Sequence, residues 1–77
     1  MIVLSSEKCV PCKLLKEELK RKGIDFIEVD IETSDGMELA KKYGIMGVPA
    51  IISNGKLIMI GYNKEKLNEL IERGDIK

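Results

Sequence analysis

The sequence predicts an α/β domain with the element order β-α-β-α-β-β-α. Three observations carry this. The apolar run Ile2-Val3-Leu4 precedes a segment whose apolar residues recur at helical spacing. A second strand-like stretch alternates apolar and charged residues, and Asn54-Gly55 stands between two further apolar runs. The first two observations make a βαβ unit, whose crossover is right-handed; the third makes a hairpin, followed by a last helix.

Ile2-Val3-Leu4 is continuous and short, as a buried strand is, and the polar stretch Ser5 to Lys8 is the loop that leaves it. From Pro11 to Lys22 the spacing is helical. Leu14, Leu15 and Leu19 are expected on one face, with Cys12 a turn before Leu15, and Lys13, Lys16, Glu17, Lys20 and Arg21 in water. Gly23 is the stop, and the basic end suits the helix dipole. In Ile24 to Ile31, the residues Ile27, Val29 and Ile31 are set against Asp25, Glu28 and Asp30, an alternation that predicts a half-buried strand. Thr33-Ser34-Asp35 offers helix caps for a short helix carrying Met37, Leu39, Ala40 and Tyr43, closed by Gly44. Ala50-Ile51-Ile52 and Leu57 to Ile60 flank Asn54-Gly55, whose residue types suit a type I′ turn with positive φ at both positions. Asn63 caps a last helix with Leu67, Leu70 and Ile71 inward, and Gly74 ends it.

The totals narrow the function. A chain of 77 residues is expected to be a single domain, residues 1–77, with a thin core. Lys plus Arg number 13 and Asp plus Glu number 13, so no charge excess points to nucleic acid or an acidic membrane surface. Phe26, Tyr43 and Tyr62 are the only aromatic residues, too few to stack a single strand. No apolar run approaches the roughly 20 residues that span a bilayer, and Met1 to Leu4 is too short for a signal-peptide core. A cytoplasmic location is therefore expected.

The chemistry lies in Cys9-Val10-Pro11-Cys12, which holds the only two cysteines. A Cys-X-X-Cys at a helix start suits a dithiol that cycles to a disulfide, because free N–H groups and the helix dipole favour the thiolate. Lys8 and Lys13 add modulating positive charge, and Pro11 fits the first helical turn. Cys12, three residues on, is one turn deeper. Cys9 is thus expected to attack and Cys12 to resolve the mixed disulfide. Two other readings stand beside this one: a buried pair with no chemistry, and a metal clip. Structural zinc takes four protein ligands. With no His and no third Cys, a single chain supplies two soft ligands, which leaves only a metal shared between subunits.

Cys9-Val10-Pro11-Cys12-Lys13 is similar to the Cys-Gly-Pro-Cys-Lys site of thioredoxins, with Val10 in place of the glycine. Tyr43-Gly44-Ile45-Met46-Gly47-Val48-Pro49-Ala50 resembles the segment leading into their cis-proline strand, and Asn54-Gly55-Lys56 and Gly61 fall where they place a hairpin turn and a glycine before the last helix. By these motifs, in this order over nearly the whole chain, the sequence resembles the thioredoxin superfamily in its short, glutaredoxin-like form. The resemblance implies a thioredoxin-like fold: a four-stranded mixed sheet in order 2-1-3-4 with helices on both faces. It implies a cis Pro49 facing the disulfide and a Val48 backbone that pairs with an extended substrate segment. Val10 and Met46 would wall the groove, with Pro11 beside them.

The sequence also departs from the family. Lys8 stands where thioredoxins have Trp, and Val3 where they bury an Asp behind the dithiol. Gly61-Tyr62-Asn63-Lys64 replaces the Gly-Gly-X-X-Asp-type segment with which glutaredoxins hold glutathione, and Gly47 replaces their Thr before Val-Pro. The expectation is a monomeric thiol–disulfide oxidoreductase, without cofactor or metal, that reduces protein disulfides. Its expected electron donor is an NADPH-dependent thioredoxin reductase, and ribonucleotide reductase is a plausible acceptor. The alternatives are a glutathione-coupled glutaredoxin and a thioredoxin-like module that binds a metal or partner without turnover.

Overall fold

A computed structural model describes residues 1–76, with the elements in the predicted order. They are β1 (Ile2–Ser5), α1 (Val10–Arg21), β2 (Ile27–Asp30), α2 (Ser34–Tyr43), β3 (Ala50–Ser53), β4 (Lys56–Ile60) and α3 (Lys64–Glu72). The sheet order is β2-β1-β3-β4, as the sequence predicts; β1 and β2 run parallel and the other pairs antiparallel.

Alternation along the strands sorts the core into two layers. Val3, Ile51 and Met59 pack with Leu15 and Leu19 of α1 and Leu67 and Leu70 of α3. Leu4, Ala50 and Ile52, on the other face, meet Val29 of β2 and Leu39, Ala40 and Tyr43 of α2. Each fully buried leucine contributes about 2 kcal/mol by leaving water. Together these layers clamp β1, whose far end leads directly into the cysteine loop.

The helix ends form as their residues dictate. Asn63 caps α3 through its Oδ1, which accepts the Lys66 N–H at 3.0 Å. Thr33 caps α2 in the same way, accepting from Gly36 at 3.0 Å. At the end of α1 the Ile24 N–H reaches the Leu19 carbonyl at 3.0 Å and the Gly23 N–H that of Lys20 at 3.1 Å. This Schellman pairing carries the usual hydrophobic contact, since Ile24 and Leu19 lie in one core cluster. Replacing Asn63 by Ala is expected to remove about 1 kcal/mol of stability, seen as a lower urea midpoint with an unchanged slope.

Three expectations are corrected. Leu14 is 47% exposed and not part of the core; the buried positions of α1 are Cys12, Leu15, Glu18 and Leu19. Residues two apart on a helix do not share a face, so Leu14 cannot point inward with Cys12. Glu18, buried unexpectedly, is held by Arg21 at 3.2 Å and Lys22 at 3.7 Å. The second strand is only Ile27–Asp30, at the sheet edge, and its Ile27 is 65% exposed because the single helix on that face leaves it uncovered. Met37 stands largely in solvent on α2, whose inward residue at that end is the buried Gly36.

The hairpin has Asn54 at φ 53° and Gly55 at φ 73°, the two positive values a type I′ turn requires. A bulge between Ile51 and Ile52 then shifts the register, so that Ala50 pairs with Ile60.

Candidate active site

The site is built on the start of α1. Cys9 is extended (φ −95°, ψ 110°) and occupies the N-cap, where its side chain accepts the Cys12 N–H at 3.1 Å. A thiol-bearing residue here does what Ser or Asp does at other helix starts, taking up an otherwise unpartnered donor. Pro11 lies in the first turn, where its missing N–H costs no hydrogen bond. The loop from β1 is closed by the Cys9 N–H on the Ser6 carbonyl at 3.2 Å. Cys9 is half-buried and Cys12 fully buried, and the two are joined as a disulfide with their Cα atoms 5.2 Å apart. The structure therefore holds the oxidised state.

The loop between α2 and β3 comes up against this pair. Val48-Pro49 is cis, as the resemblance implies, and the Val48 carbonyl lies 3.8 Å from the Cys9 Sγ. Pro49 is buried, and its carbonyl accepts the Gly61 N–H at 2.7 Å, tying this loop to the segment before α3. The structure thus brings together Cys9, Cys12, Val48 and Pro49, parted by 39 residues of sequence between Cys9 and Val48. Val10 is exposed at the mouth, and Pro11 lies beside it. Met46 is 98% exposed, so its side chain packs on nothing and forms no groove wall in this state. Lys8 and Lys13 are exposed, where water and salt weaken their influence on the sulfurs.

Two groups were not anticipated. Ile60 is 51% exposed and lies beside Ala50 through the bulged register, so it adds an apolar rim next to Pro49. The hairpin motif contained the means to find it, but an unbulged count from Asn54-Gly55 places Met59 there. The second is a polar network. The Ser5 hydroxyl, buried at the end of β1, donates to Glu28 Oε2 at 2.9 Å, and the Lys16 ammonium binds the same oxygen. These two donors, Lys16 first, hold the Glu28 carboxyl below its ordinary range, against an opposing effect of burial.

A carboxyl lowered on folding stabilises the native state above its unfolded value, and that contribution is lost as pH falls through the folded value. Glu28→Gln is therefore expected to flatten the acid limb of a stability–pH curve measured by urea unfolding. It should do so modestly, because the side chain is 48% exposed and solvent screens the pair.

Val3 is fully buried and lies in the core cluster with Leu15 and Leu19 of α1. Among the described residues, no three His, Cys, Asp or Glu side chains are grouped to hold a metal, and no helix is long and apolar enough to cross a membrane.

Comparison with known proteins gives the same picture. The glutaredoxin family model matches residues 1–58. A glutaredoxin-like 8.6 kDa protein in the rubredoxin operon of Clostridium pasteurianum, itself uncharacterized, is 37% identical over 76 residues, covering 92% of this chain and 96% of that protein. Among solved structures, the glutaredoxin grx-1 from Archaeoglobus fulgidus superposes with a TM-score of 0.74 at 34% identity, covering 91% of this chain and 83% of that one. A mutant of the thioredoxin-like protein BC3987 gives a TM-score of 0.81 at 26% identity, with 92% of each chain covered.

Proposed function

The chain belongs to the glutaredoxin family, and on that premise we propose that it reduces protein disulfides by a Cys9/Cys12 cycle and is re-reduced by an NADPH-dependent thioredoxin reductase. Family membership and the disulfide make it a thiol–disulfide oxidoreductase; the substrate, the donor and the residue roles are the proposal. The observation that carries it is the half-exposed Cys9 sulfur at the N-cap of α1, joined to a fully buried Cys12 and faced by the Val48 carbonyl.

In this cycle the Cys9 thiolate attacks one sulfur of a substrate disulfide. The substrate S–S bond breaks, the first substrate sulfur leaves as thiolate and takes a proton, and Cys9 is held in a mixed disulfide. Cys12, as thiolate, attacks the Cys9 sulfur and releases the second substrate thiol. Two electrons have passed to the substrate, and the protein is left in the oxidised state described above. The Val48 backbone aligns the substrate as an extended segment, held in place by the buried Pro49; exposed Val10 and Pro11, and Met46 once a substrate lies against it, supply apolar contact, and Lys8 and Lys13 modest positive charge. We place this activity in a single cytoplasmic, monomeric domain of residues 1–77, with ribonucleotide reductase as one acceptor.

The choice of donor rests on Gly61-Tyr62-Asn63-Lys64, which lacks the acidic residue of the glutathione-holding segment. The glutaredoxin family match favours glutathione instead. Insulin reduction measured once with NADPH and thioredoxin reductase, and once with glutathione and its reductase, separates the two. Turnover is expected with the first; turnover only with the second overturns the donor. Failure of both, with metal in the purified protein, makes the chain a binding module.

A further inference from the structure

We propose that the Lys16–Glu28 pair, with Ser5 beneath it, sets the proton affinity of the buried Cys12 thiol and hence the rate at which Cys12 closes on a mixed disulfide. The kinetic half rests on the proposed redox cycle; the titration half stands without it.

Cys12 is fully buried and must lose its proton before it can attack. Lys16 follows it by one turn on α1. Side chains at that spacing lie on one helix face, with Cβ atoms about 5–6 Å apart. The Lys16 side chain is only 20% exposed, so its charge is less screened than those of Lys8 and Lys13. Its ammonium is bound to Glu28, which also accepts the hydroxyl of Ser5, itself 1% exposed. A cation and an anion from different elements are thus joined on the helix face that Cys12 shares, and their effects on the thiol have opposite signs.

The other side chains packed on this side of the sheet are mostly apolar. Val3, Ile51 and Met59 from β1, β3 and β4 are apolar, as are Leu67 and Leu70 of α3, and Tyr62 packs against the same cluster. Asp30 of β2, half-buried, keeps its negative charge while its Oδ1 accepts the Glu32 N–H at 2.8 Å; that charge is common to every variant and drops out of the shifts between them. On α1, Glu18 is engaged by Arg21 and Lys22; Lys13 and Lys20 are exposed, and Lys20 adds weakly to the positive field at Glu28. Lys8 and Cys9 lie on the loop side of the helix start.

The two members have opposite signs of effect. Glu28→Gln leaves Lys16 uncompensated and favours the Cys12 thiolate. Lys16→Met leaves Glu28 uncompensated and disfavours it. In a Cys9→Ser background, where Cys12 is the single thiol, ultraviolet thiolate absorbance against pH reads this directly and needs no access to the buried sulfur. The Glu28→Gln titration is expected about half a unit lower and that of Lys16→Met about half a unit higher, with Lys16→Arg restoring the starting value. High salt should shrink both shifts. Shifts of the same sign, or no shift in folded variants, overturn the proposal, since a pair that merely pins α1 to β2 moves stability and not the titration. Should Lys16→Met fail to fold, Glu28→Gln on the sheet edge and the salt series decide alone. In the two-cysteine protein, release of a mixed disulfide below the thiol midpoint should be about twofold faster in Glu28→Gln, after allowing for the weaker nucleophile. Titration shifts without any turnover would leave the tuning intact and refute the redox cycle instead.

Discussion

Cys9→Ser is expected to bring insulin reduction down to the uncatalysed background, while Cys12→Ser keeps the first attack and accumulates mixed disulfides. The asymmetry follows from burial and bonding. Cys9 is half-exposed, and its sulfur accepts the Cys12 N–H at 3.1 Å, an interaction that strengthens when the sulfur is charged. Cys12 has no exposed surface, so no substrate sulfur reaches it first. In the Cys12→Ser protein nothing displaces the bound substrate, and intact mass measurement should find the adduct. Alkylation of the reduced protein at neutral pH gives the independent check. Faster labelling of Cys12 than of Cys9 would reverse the assigned roles.

Gly36→Ala is expected to be among the most damaging single changes outside the dithiol. A Cβ at this position overlaps the Asp30 carbonyl and comes within 2.7 Å of the Ile31 Cα and 2.8 Å of the Asp30 carbonyl carbon. These are backbone atoms at the end of β2, held by the Ile31 N–H on the Ser5 carbonyl at 2.8 Å, so they cannot move aside as a flexible side chain would. The close approach is what lets the first turn of α2 lie on the chain leaving β2. Overpacking of this kind costs about 3 kcal/mol. For a domain of this size that is a fall in melting temperature of about 10–20 °C. Calorimetry is the direct measurement; a change under about 5 °C, or about 1 kcal/mol, would show that α2 can tilt away at little cost. Damage should extend to the active site, because α2 ends at the loop that carries Val48 and Pro49.

Much of this fold was legible because its signals are local. Asn54-Gly55, the caps Thr33 and Asn63, and the stops at Gly23, Gly44 and Gly74 each act through a few neighbouring residues, and each formed where expected. Cys9 and Cys12 were legible for the same reason, and the arrival of Val48-Pro49 beside them followed from the family resemblance. What stayed hidden depends on relations between elements. The exposure of Ile27 follows from which strand ends at the sheet edge. Ile60 depends on a bulge that the turn residues do not specify. The Ser5–Glu28–Lys16 network joins three elements, and no single segment announces it. Leu14 differs, since strict helical spacing puts it on the outer side from the sequence alone.

The N-cap position of Cys9 has a consequence that runs opposite to the usual view of a thiol tuned by its helix. Free-energy coupling is reciprocal: if the start of α1 favours charge on the sulfur, charge on the sulfur favours the start of α1 by the same amount. A sulfur bonded to substrate carries no charge to return. On the proposed cycle the first turn of α1 is therefore expected to be more stable in the reduced protein than in the mixed disulfide, although the oxidised structure, with an uncharged sulfur, still keeps the N-cap bond at 3.1 Å. The residue proposed to open the chemistry is then also coupled, through a single N–H, to the stability of the helix that carries it.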